Sequence, residues 1–319
     1  MSLQKNDNNG HLLEVENLCM YFKQGRYILK GAENVSFHIE EGETYGLVGE
    51  SGSGKSTIGR CIIRLYDPTS GRITFKGTDI SGKLGIKEKK ILHEGIQMIF
   101  QDPMSSLNPR KTAEDIVGEG LDIHHKYKNQ NERHEKIMKA LKTVGLSAEQ
   151  ATRYPAQFSG GQRQRLGIAR AMIMEPALII ADECIAALDV SIQAQVVNML
   201  RRIKEEYGTS FLFISHDLSM VRYLSDHIGV LHLGYLLETG TSDEIFSDPI
   251  HPYTKSLLSA IPEPNPLVQI RKQIYYDMNM SGVHYDSGSW HTASGQHRVW
   301  CTDREFQTWT ENSRKEEGA

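Results

Sequence analysis

The sequence predicts an α/β fold in which short buried strands alternate with helices and one helical insertion interrupts the series. A glycine-rich loop at residues 49–57 follows a short apolar run and precedes a segment with a helical apolar face. Two further apolar runs, 178–181 and 211–214, have the length of buried strands rather than helices. Over residues 104–175 the hydrophobic period changes from about two to about 3.6, which predicts a mainly helical insertion.

The remaining elements follow from hydrophobic spacing and turn signals. Thr112 is a suitable N-cap for the first helix of the insertion, and Gly208 ends the best-defined amphipathic helix of the chain. A hairpin is expected around Gly234, between strands at 228–233 and 235–238. The other predicted strands lie at residues 12–20, 34–39, 71–77 and 96–100, and the predicted helices lie at residues 112–121, 131–144, 189–207 and 218–224.

Composition narrows the class of protein. The chain has 319 residues, 39% hydrophobic and 24% charged, with a net charge of −4, so a nucleic-acid partner is not expected. No apolar stretch approaches the roughly 20 residues that span a bilayer, and residues 1–11 form a polar leader without a signal-like apolar core. The four cysteines lack CxxC spacing, which favours reduced thiols in the cytosol over a zinc site or disulfides. Three prolines in 262–266 introduce residues 263–319, predicted to be an accessory tail of short strands and loops.

The glycine-rich loop has the composition of a phosphate-binding loop. Glycines at positions 49, 52 and 54 let the backbone curl and bring its N–H groups close to an anion, and the following helix adds the positive end of its dipole. Lys55 supplies a point charge for the β- and γ-phosphates, and the Ser56 hydroxyl is a hard ligand for Mg²⁺. A plain glycine turn is disfavoured by the strand–loop–helix context. The residues expected to bind nucleoside triphosphate here are Gly49, Glu50, Ser51, Gly52, Ser53, Gly54, Lys55, Ser56 and Thr57.

Two carboxylates follow the apolar strand at 178–181. Asp182, at the end of a buried strand, can reach Mg²⁺ as the acidic partner of the loop. Glu183 is placed to orient or deprotonate a water in line with the γ-phosphate. The alternative, a negative charge favoured by a following helix dipole, is less consistent with the phosphate loop already present.

Gln101 and His216 also stand just past predicted strands. The amide of Gln101 can ligate Mg²⁺ or hold the attacking water, and His216 should lie on the same sheet edge as Asp182. Taken singly, Gln101 would be a solvated polar residue and His216 a structural histidine. Their assignment depends on the whole set.

Ser159 begins a second anion candidate, because it is a suitable N-cap followed by two glycines in the first turn of a helix. This segment lies about 110 residues from the first loop, inside the helical insertion. One phosphate is seldom bound by two such sites of one fold, so the segment is expected to cap a nucleotide held by another chain. The residues concerned are Ser159, Gly160, Gly161 and Gln162.

Together these segments resemble the ATP-binding subunit of ABC transporters over residues 12–262. Residues 49–57 correspond to the Walker A, 178–183 to the Walker B with its glutamate, and 158–162 to the signature. Gln101 corresponds to the Q-loop, residues 186–189 to the D-loop and His216 to the switch histidine. The resemblance implies a RecA-like core, an antiparallel β subdomain, an α-helical subdomain at about 104–175 and a C-terminal accessory tail. It also implies that two subunits sandwich two ATP molecules, with Mg²⁺ as cofactor.

A narrower resemblance to the oligopeptide/dipeptide importers is carried by residues 100–110, 154–155 and 251–262. It implies a second, different ABC ATPase as heterodimer partner, two integral-membrane permeases and, indirectly, an extracytoplasmic peptide-binding protein. The chain resembles the second ATPase of the pair, working at the cytoplasmic face of the plasma membrane. Nickel, glutathione or sugar oligomers stay open as cargo, because the ATPase does not touch it.

Within the resemblance, Phe22 aligns with the aromatic residue that stacks on adenine, with Tyr21 as the alternative. Ala186 replaces the usual D-loop serine, which puts coupling between the two ATP sites in doubt. Cys301 is the only cysteine of the tail, so an iron–sulfur cluster is unsupported there. The rival functions are a non-transport ABC ATPase acting on DNA or ribosomes, and a degenerate subunit that binds ATP without useful turnover.

Overall fold

The computed structural model describes residues 10–261 and 273–317. Almost all of the predicted polar leader and the proline-rich stretch at 262–266 therefore lie outside the described residues. Side chains are described for all but a few of these positions.

The described part of the chain contains twelve strands and twelve α-helices, besides three short 3₁₀ helices. The strands are β1 (Leu13–Gln24), β2 (Tyr27–Ile39), β3 (Thr44–Val48), β4 (Ser70–Phe75), β5 (Thr78–Asp79), β6 (Ile96–Ile99), β7 (Leu178–Asp182), β8 (Ser210–Ser215), β9 (His227–His232), β10 (Tyr235–Thr241), β11 (Ser289–Ser294) and β12 (His297–Cys301). The helices are α1 (Lys55–Ile62), α2 (Ile86–Gly95), α3 (Pro103–Ser106), α4 (Ala113–His124), α5 (Gln130–Thr143), α6 (Gly160–Met172), α7 (Val190–Tyr207), α8 (Leu218–Leu224), α9 (Ser242–Ser247), α10 (Pro252–Ser259), α11 (Met278–Ser281) and α12 (Asp303–Glu317).

An eight-stranded sheet forms the centre of the molecule, in the order β11-β12-β10-β9-β3-β8-β7-β6. The five strands from β9 to β6 run parallel, while β10, β12 and β11 add to the β9 side by antiparallel pairing. Strands β3, β7 and β8 are buried along their whole length, because parallel strands are covered on both faces. Their carboxyl ends consequently meet at one edge of the sheet.

A second, four-stranded antiparallel sheet has the order β2-β1-β4-β5. Its apolar face shares a core with helix α1 and with one face of the large sheet, through side chains such as Leu13, Ile39 and Ile58. The opposite face of the large sheet packs on helices α4 to α7. The antiparallel β subdomain and the α-helical subdomain implied by the resemblance are thus both present.

Most predicted elements are confirmed to within a few residues, but β2 begins at Tyr27, well before the strand predicted at residues 34–39. Thr112 caps α4 through a capping box with Asp115, and Gly208 ends α7 in the left-handed conformation with φ 66°. The hairpin around Gly234 is β9–β10. Helix α1 begins at Lys55, so the last three residues of the predicted phosphate-binding loop at 49–57 are already helical.

The prediction that the C-terminal tail holds only short strands and loops is wrong. It contains the hairpin β11–β12, but also the 15-residue helix α12. Strand β12 pairs with β10, with Val299 opposite Glu238, so the tail extends the large sheet. The four cysteines are buried and free, and none of the described helices is long and apolar enough to cross a membrane.

Candidate nucleotide site

The predicted site residues lie at the carboxyl edge of the parallel strands. The glycine-rich loop leaves β3, Asp182 is the last residue of β7, and His216 follows β8. Gln101 follows β6 after one intervening residue. The expectation that His216 and Asp182 share an edge is confirmed, because β7 and β8 are paired in parallel with Asp182 opposite Ile214.

The glycines of the loop occupy positions that a side chain could not. Gly49 has φ 149°, and a Cβ there would lie 2.0 Å from the Leu231 carbonyl oxygen. Gly54 has φ 106°, and a Cβ there would lie 2.1 Å from the Gly31 carbonyl oxygen. Both contacts are far closer than van der Waals distance, so only glycine allows β2 and β9 to approach the loop.

Lys55 is folded into this loop and is only 3% exposed. Its ammonium donates hydrogen bonds to the carbonyl oxygens of Gly49 and Glu50, both at 2.8 Å. A carboxylate oxygen of Glu183 lies 4.0 Å away. Burial lowers the pKa of Lys55, while the nearby carboxylates act in the opposite direction.

The Ser56 hydroxyl donates a 2.5 Å hydrogen bond to the carboxylate of Asp182. Asp182 is 1% exposed, and burial raises the pKa of its carboxyl group. Arg60, one helical turn after Ser56, places its guanidinium 3.9 Å from the second oxygen of Asp182. The two hard oxygen groups are therefore next to each other beside the loop.

Glu183 is held from three directions. Its backbone is left-handed, with φ 44°, and its N–H donates to the Ile214 carbonyl at 2.9 Å. The Gln101 side-chain amide donates to one carboxylate oxygen at 2.9 Å, and His216 Nδ1 lies 3.5 Å from the other. A left-handed backbone at a non-glycine residue is uncommon, and it aims this carboxylate toward Gln101, His216 and Lys55.

The signature residues lie apart from this cluster. Ser159 caps α6 through a capping box with Gln162, and Ser159 and Gly160 are exposed. A Cβ on Gly161 would lie 2.7 Å from Ile192 of α7. In residues 10–261 and 273–317, no hydrogen bond joins residues 159–162 to the glycine-rich loop.

Phe22 lies near the start of α1. Its ring and the Thr57 side chain both lie close to Gly31. A Cβ on that glycine would lie 2.7 Å from the Phe22 ring and 3.0 Å from Thr57. The Phe22 ring also packs edge-on against Tyr66, with 5.4 Å between centroids. Tyr21, the alternative, donates its hydroxyl proton to Glu33 at 3.1 Å.

The glycine-rich loop makes two hydrogen bonds that the sequence analysis did not predict. The Gly234 N–H donates to the Ser53 carbonyl at 2.8 Å, and the Glu50 N–H donates to the Tyr253 hydroxyl at 3.0 Å. Tyr253 belongs to the segment at 251–262, which supports the resemblance to the oligopeptide/dipeptide importers but predicts no contact with the loop. Nothing in the local sequence signals a contact with a residue 203 positions away.

The fold and this arrangement of loop, carboxylates, amide and imidazole define an ATP-hydrolysing cassette ATPase. Residues 32–186 match the family model of the ABC transporter, and residues 237–281 match that of the oligopeptide/dipeptide transporter, C-terminal region.

The chain is also similar in sequence and in fold to individual proteins of the same kind. The chain is 49% identical over 309 residues to the oligopeptide transport ATP-binding protein OppF of Bacillus subtilis, covering 94% of this chain and 99% of that protein. It is 53% identical over 273 residues to the dipeptide transport ATP-binding protein DppF of Lactococcus lactis, covering 83% and 86% respectively. Its fold matches the dimeric ATP-binding cassette MJ0796 bound to ADP and Pi, with a TM-score of 0.66, 30% identity, and coverage of 72% of this chain and 98% of that one. The chain belongs to the ABC transporter ATP-binding proteins of the oligopeptide/dipeptide type, and it binds and hydrolyses ATP.

Proposed function

We propose that this chain is the ATP-hydrolysing subunit that energises import of oligopeptides or dipeptides through an ABC permease. The observation that carries the catalytic part is the position of Glu183, whose carboxylate contacts Gln101 and His216 and lies 4.0 Å from the Lys55 ammonium. The peptide cargo is supported by the match at residues 237–281 and by the relatives with peptide transport in their names.

In this proposal the glycine-rich loop binds the phosphates of ATP and Phe22 stacks on the adenine. Glu183 accepts the proton of the attacking water, while Gln101 and His216 orient that water and the carboxylate. When ATP binds, the Lys55 ammonium leaves the two carbonyl oxygens and donates to phosphate oxygens instead. This exchange is favourable because hydrogen bonds between oppositely charged groups are stronger than those to neutral carbonyls.

Magnesium fits the oxygen groups beside the loop. The Ser56 hydroxyl and the Asp182 carboxylate are hard donors 2.5 Å apart, and the Gln101 amide oxygen is the third proposed ligand. When bound, Mg²⁺ neutralises charge that develops on the transferred phosphoryl group. Ser56, Asp182 and Gln101 would hold the ion beside the first turn of α1.

The signature residues, of which Ser159 and Gly160 are exposed, are proposed to complete the ATP site of a second ABC ATPase subunit. Their position apart from the glycine-rich loop supports this, since a helix N-terminus with free space around Gly160 suits a phosphate. The assembly would hold a different partner ATPase, two integral-membrane permeases and, indirectly, an extracytoplasmic peptide-binding protein. The chain would then be peripheral at the cytoplasmic face of the plasma membrane, with no nucleic acid involved.

The test is recovery of the assembly from detergent-solubilised membranes of the source cell. Tagged Glu183→Gln protein is used with Mg-ATP, and Lys55→Ala, expected to lose ATP binding, serves as control. Recovery of two permeases and a second ATPase with Glu183→Gln supports the proposal. Recovery of ribosomal or DNA-associated proteins without membrane subunits would overturn it. The cargo is then identified by measuring ATP hydrolysis of the purified assembly with candidate peptides, nickel or glutathione, since the transported compound should stimulate hydrolysis.

A further inference from the structure

The segment around Tyr253 is buried and reaches the glycine-rich loop. His251 caps α10 by accepting the Tyr253 N–H on Nδ1 at 3.0 Å, and the two side chains are 0% and 2% exposed. This cap orients Tyr253 so that its hydroxyl accepts the Glu50 N–H at 3.0 Å. Burial raises the pKa of Tyr253, so the hydroxyl stays neutral at physiological pH.

The main chain of Glu50 is consequently held at both of its polar groups. Its N–H is bound by Tyr253, and its carbonyl oxygen accepts from the Lys55 ammonium at 2.8 Å. On the other side of the loop, the Gly234 N–H binds the Ser53 carbonyl at 2.8 Å. Within residues 10–261 and 273–317, Tyr253 is thus the side chain outside residues 49–57 that hydrogen-bonds to the first half of the loop.

The ring of Tyr253 is in turn positioned by the C-terminal tail. It stacks on His232 with 4.1 Å between centroids and an interplanar angle of 30°. His232 Nδ1 lies 2.6 Å from the hydroxyl of Tyr285, which lies 3.1 Å from the hydroxyl of Tyr276. Burial lowers the pKa of His232 to about 4, so the imidazole is neutral and shares one hydrogen bond with the Tyr285 hydroxyl. Contacts therefore run without a break from the tail to the loop.

We propose that Tyr253 is a positioning residue for ATP binding, and that Tyr276 and Tyr285 of the tail support it through His232. The hydroxyl keeps Glu50 in the geometry that leaves the phosphate-binding N–H groups converging. Without it, the Glu50 N–H loses its partner within the protein and the loop spends less time in the binding-competent form. The apparent Kd for ATP then rises in inverse proportion to the fraction of loops that remain competent. The inference rests on the proposed role of the loop in binding ATP.

The test compares single-hydroxyl variants of the full chain. Tyr253→Phe keeps the ring and removes the acceptor, so the Kd for Mg-ATP should rise about 10-fold. Tyr285→Phe removes the support of His232 and should raise the Kd about 3-fold. Tyr275→Phe is the matched control, because Tyr275 is 82% exposed in the tail and its hydroxyl meets only Gln273 among the described residues. Its Kd should equal that of the wild type.

Amide hydrogen exchange separates positioning from general destabilisation. Exchange of a peptide containing Glu50 should increase in Tyr253→Phe, while exchange of the buried strand β7 stays as in the wild type. In the assembled complex, the KM for ATP should rise while kcat changes less than about 2-fold, as for a residue that acts on binding alone.

An unchanged Kd in Tyr253→Phe would overturn the inference even if the melting temperature falls. If Tyr253→Phe does not fold, Tyr285→Phe is the deciding variant. An unchanged Kd for Mg-ATP in Tyr285→Phe would show that neither the tail nor the stacking of His232 on Tyr253 supports ATP binding. Failure of the proposed role of the loop gives a different result, because Lys55→Ala would then bind Mg-ATP as tightly as the wild-type chain. A wild-type chain that binds ATP together with unaffected variants contradicts this inference alone.

Discussion

The hydroxyl of Ser56 and the carboxylate of Asp182 are joined by a 2.5 Å hydrogen bond between the first turn of α1 and the last residue of β7. These residues are 126 positions apart in the chain, and Asp182 is almost completely buried. The bond brings the two proposed magnesium ligands into one place.

Asp182→Asn should weaken the use of Mg²⁺ while preserving side-chain volume. The substitution removes the charge of a hard ligand, so the Mg²⁺ concentration for half-maximal ATP hydrolysis should rise about 10- to 100-fold or more. The measurement is a Mg²⁺ titration of ATPase activity in the assembled complex. Asp248→Asn, an exposed carboxylate after α9, is the control. An Mg²⁺ requirement identical in both variants would exclude Asp182 as a ligand.

Glu183→Gln should reduce ATP turnover by about 10²- to 10³-fold without loss of ATP binding. The amide keeps the size and the contacts with Gln101 and His216 but cannot take a proton. Single-turnover hydrolysis measures the rate, and light scattering with ATP should detect a trapped dimer. Glu205→Gln, on the exposed face of α7, serves as control. Wild-type turnover in Glu183→Gln would remove its assignment as the base.

Ser159→Arg should leave ATP binding by the isolated chain unchanged but abolish hydrolysis in the assembled complex. An arginine at this exposed helix N-terminus would occupy the space proposed for the partner subunit's nucleotide. The variant also loses an N-cap, which costs about 1 kcal/mol. Ser147→Arg, an exposed capping position in the same helical region, controls for that loss. Normal peptide transport by Ser159→Arg would contradict trans capping.

His297→Ala should destabilise the protein by about 3 to 5 kcal/mol, because it leaves Glu238 buried without its cationic partner. His297 Nε2 lies 2.7 Å from Glu238, and both side chains are at most 1% exposed. Urea unfolding at pH 6 measures the difference in free energy. His291→Ala, a tail histidine beside the exposed Asp303, is the comparison and should cost much less.

The same pair predicts a pH dependence with a definite sign. Burial alone would lower the pKa of His297, but the hydrogen bond and charge of Glu238 outweigh it, and the pKa is raised. A raised pKa in the folded state means that this contribution is complete below the ordinary value of about 6.5 and is lost as pH rises through the folded-state pKa. The melting temperatures of the wild type and of His297→Ala are measured across this pH range, and the difference between them at each pH isolates the contribution of the pair. A difference that grows with pH would contradict it.

The parts of the fold predicted well are those whose burial is local and periodic. Strands β7 and β8 are continuous apolar runs, and α7 carries one apolar stripe that ends at a glycine. The shared edge of Asp182 and His216 follows from parallel strand direction, so it could be inferred without coordinates.

The missed helices have weaker local signals. Helix α2 buries Leu92 alone, which leaves no apolar stripe to detect. Helix α12 is strongly polar, and Phe306 and Trp309 are the side chains that pack it on a small cluster with Ile250 and Val299. Its position is set by tertiary contacts rather than by sequence period.

The addition of β12 to the large sheet has a consequence for how the chain avoids self-association. Strand β10 would otherwise be an outer strand with free N–H and C=O groups, which can template pairing with another copy. Strand β12 pairs with β10 at Glu238 and Thr239, and Arg298 on β12 adds a charge at that margin. Cutting the chain after α10 would leave this strand uncovered, so a shortened protein would be prone to aggregate through strand addition.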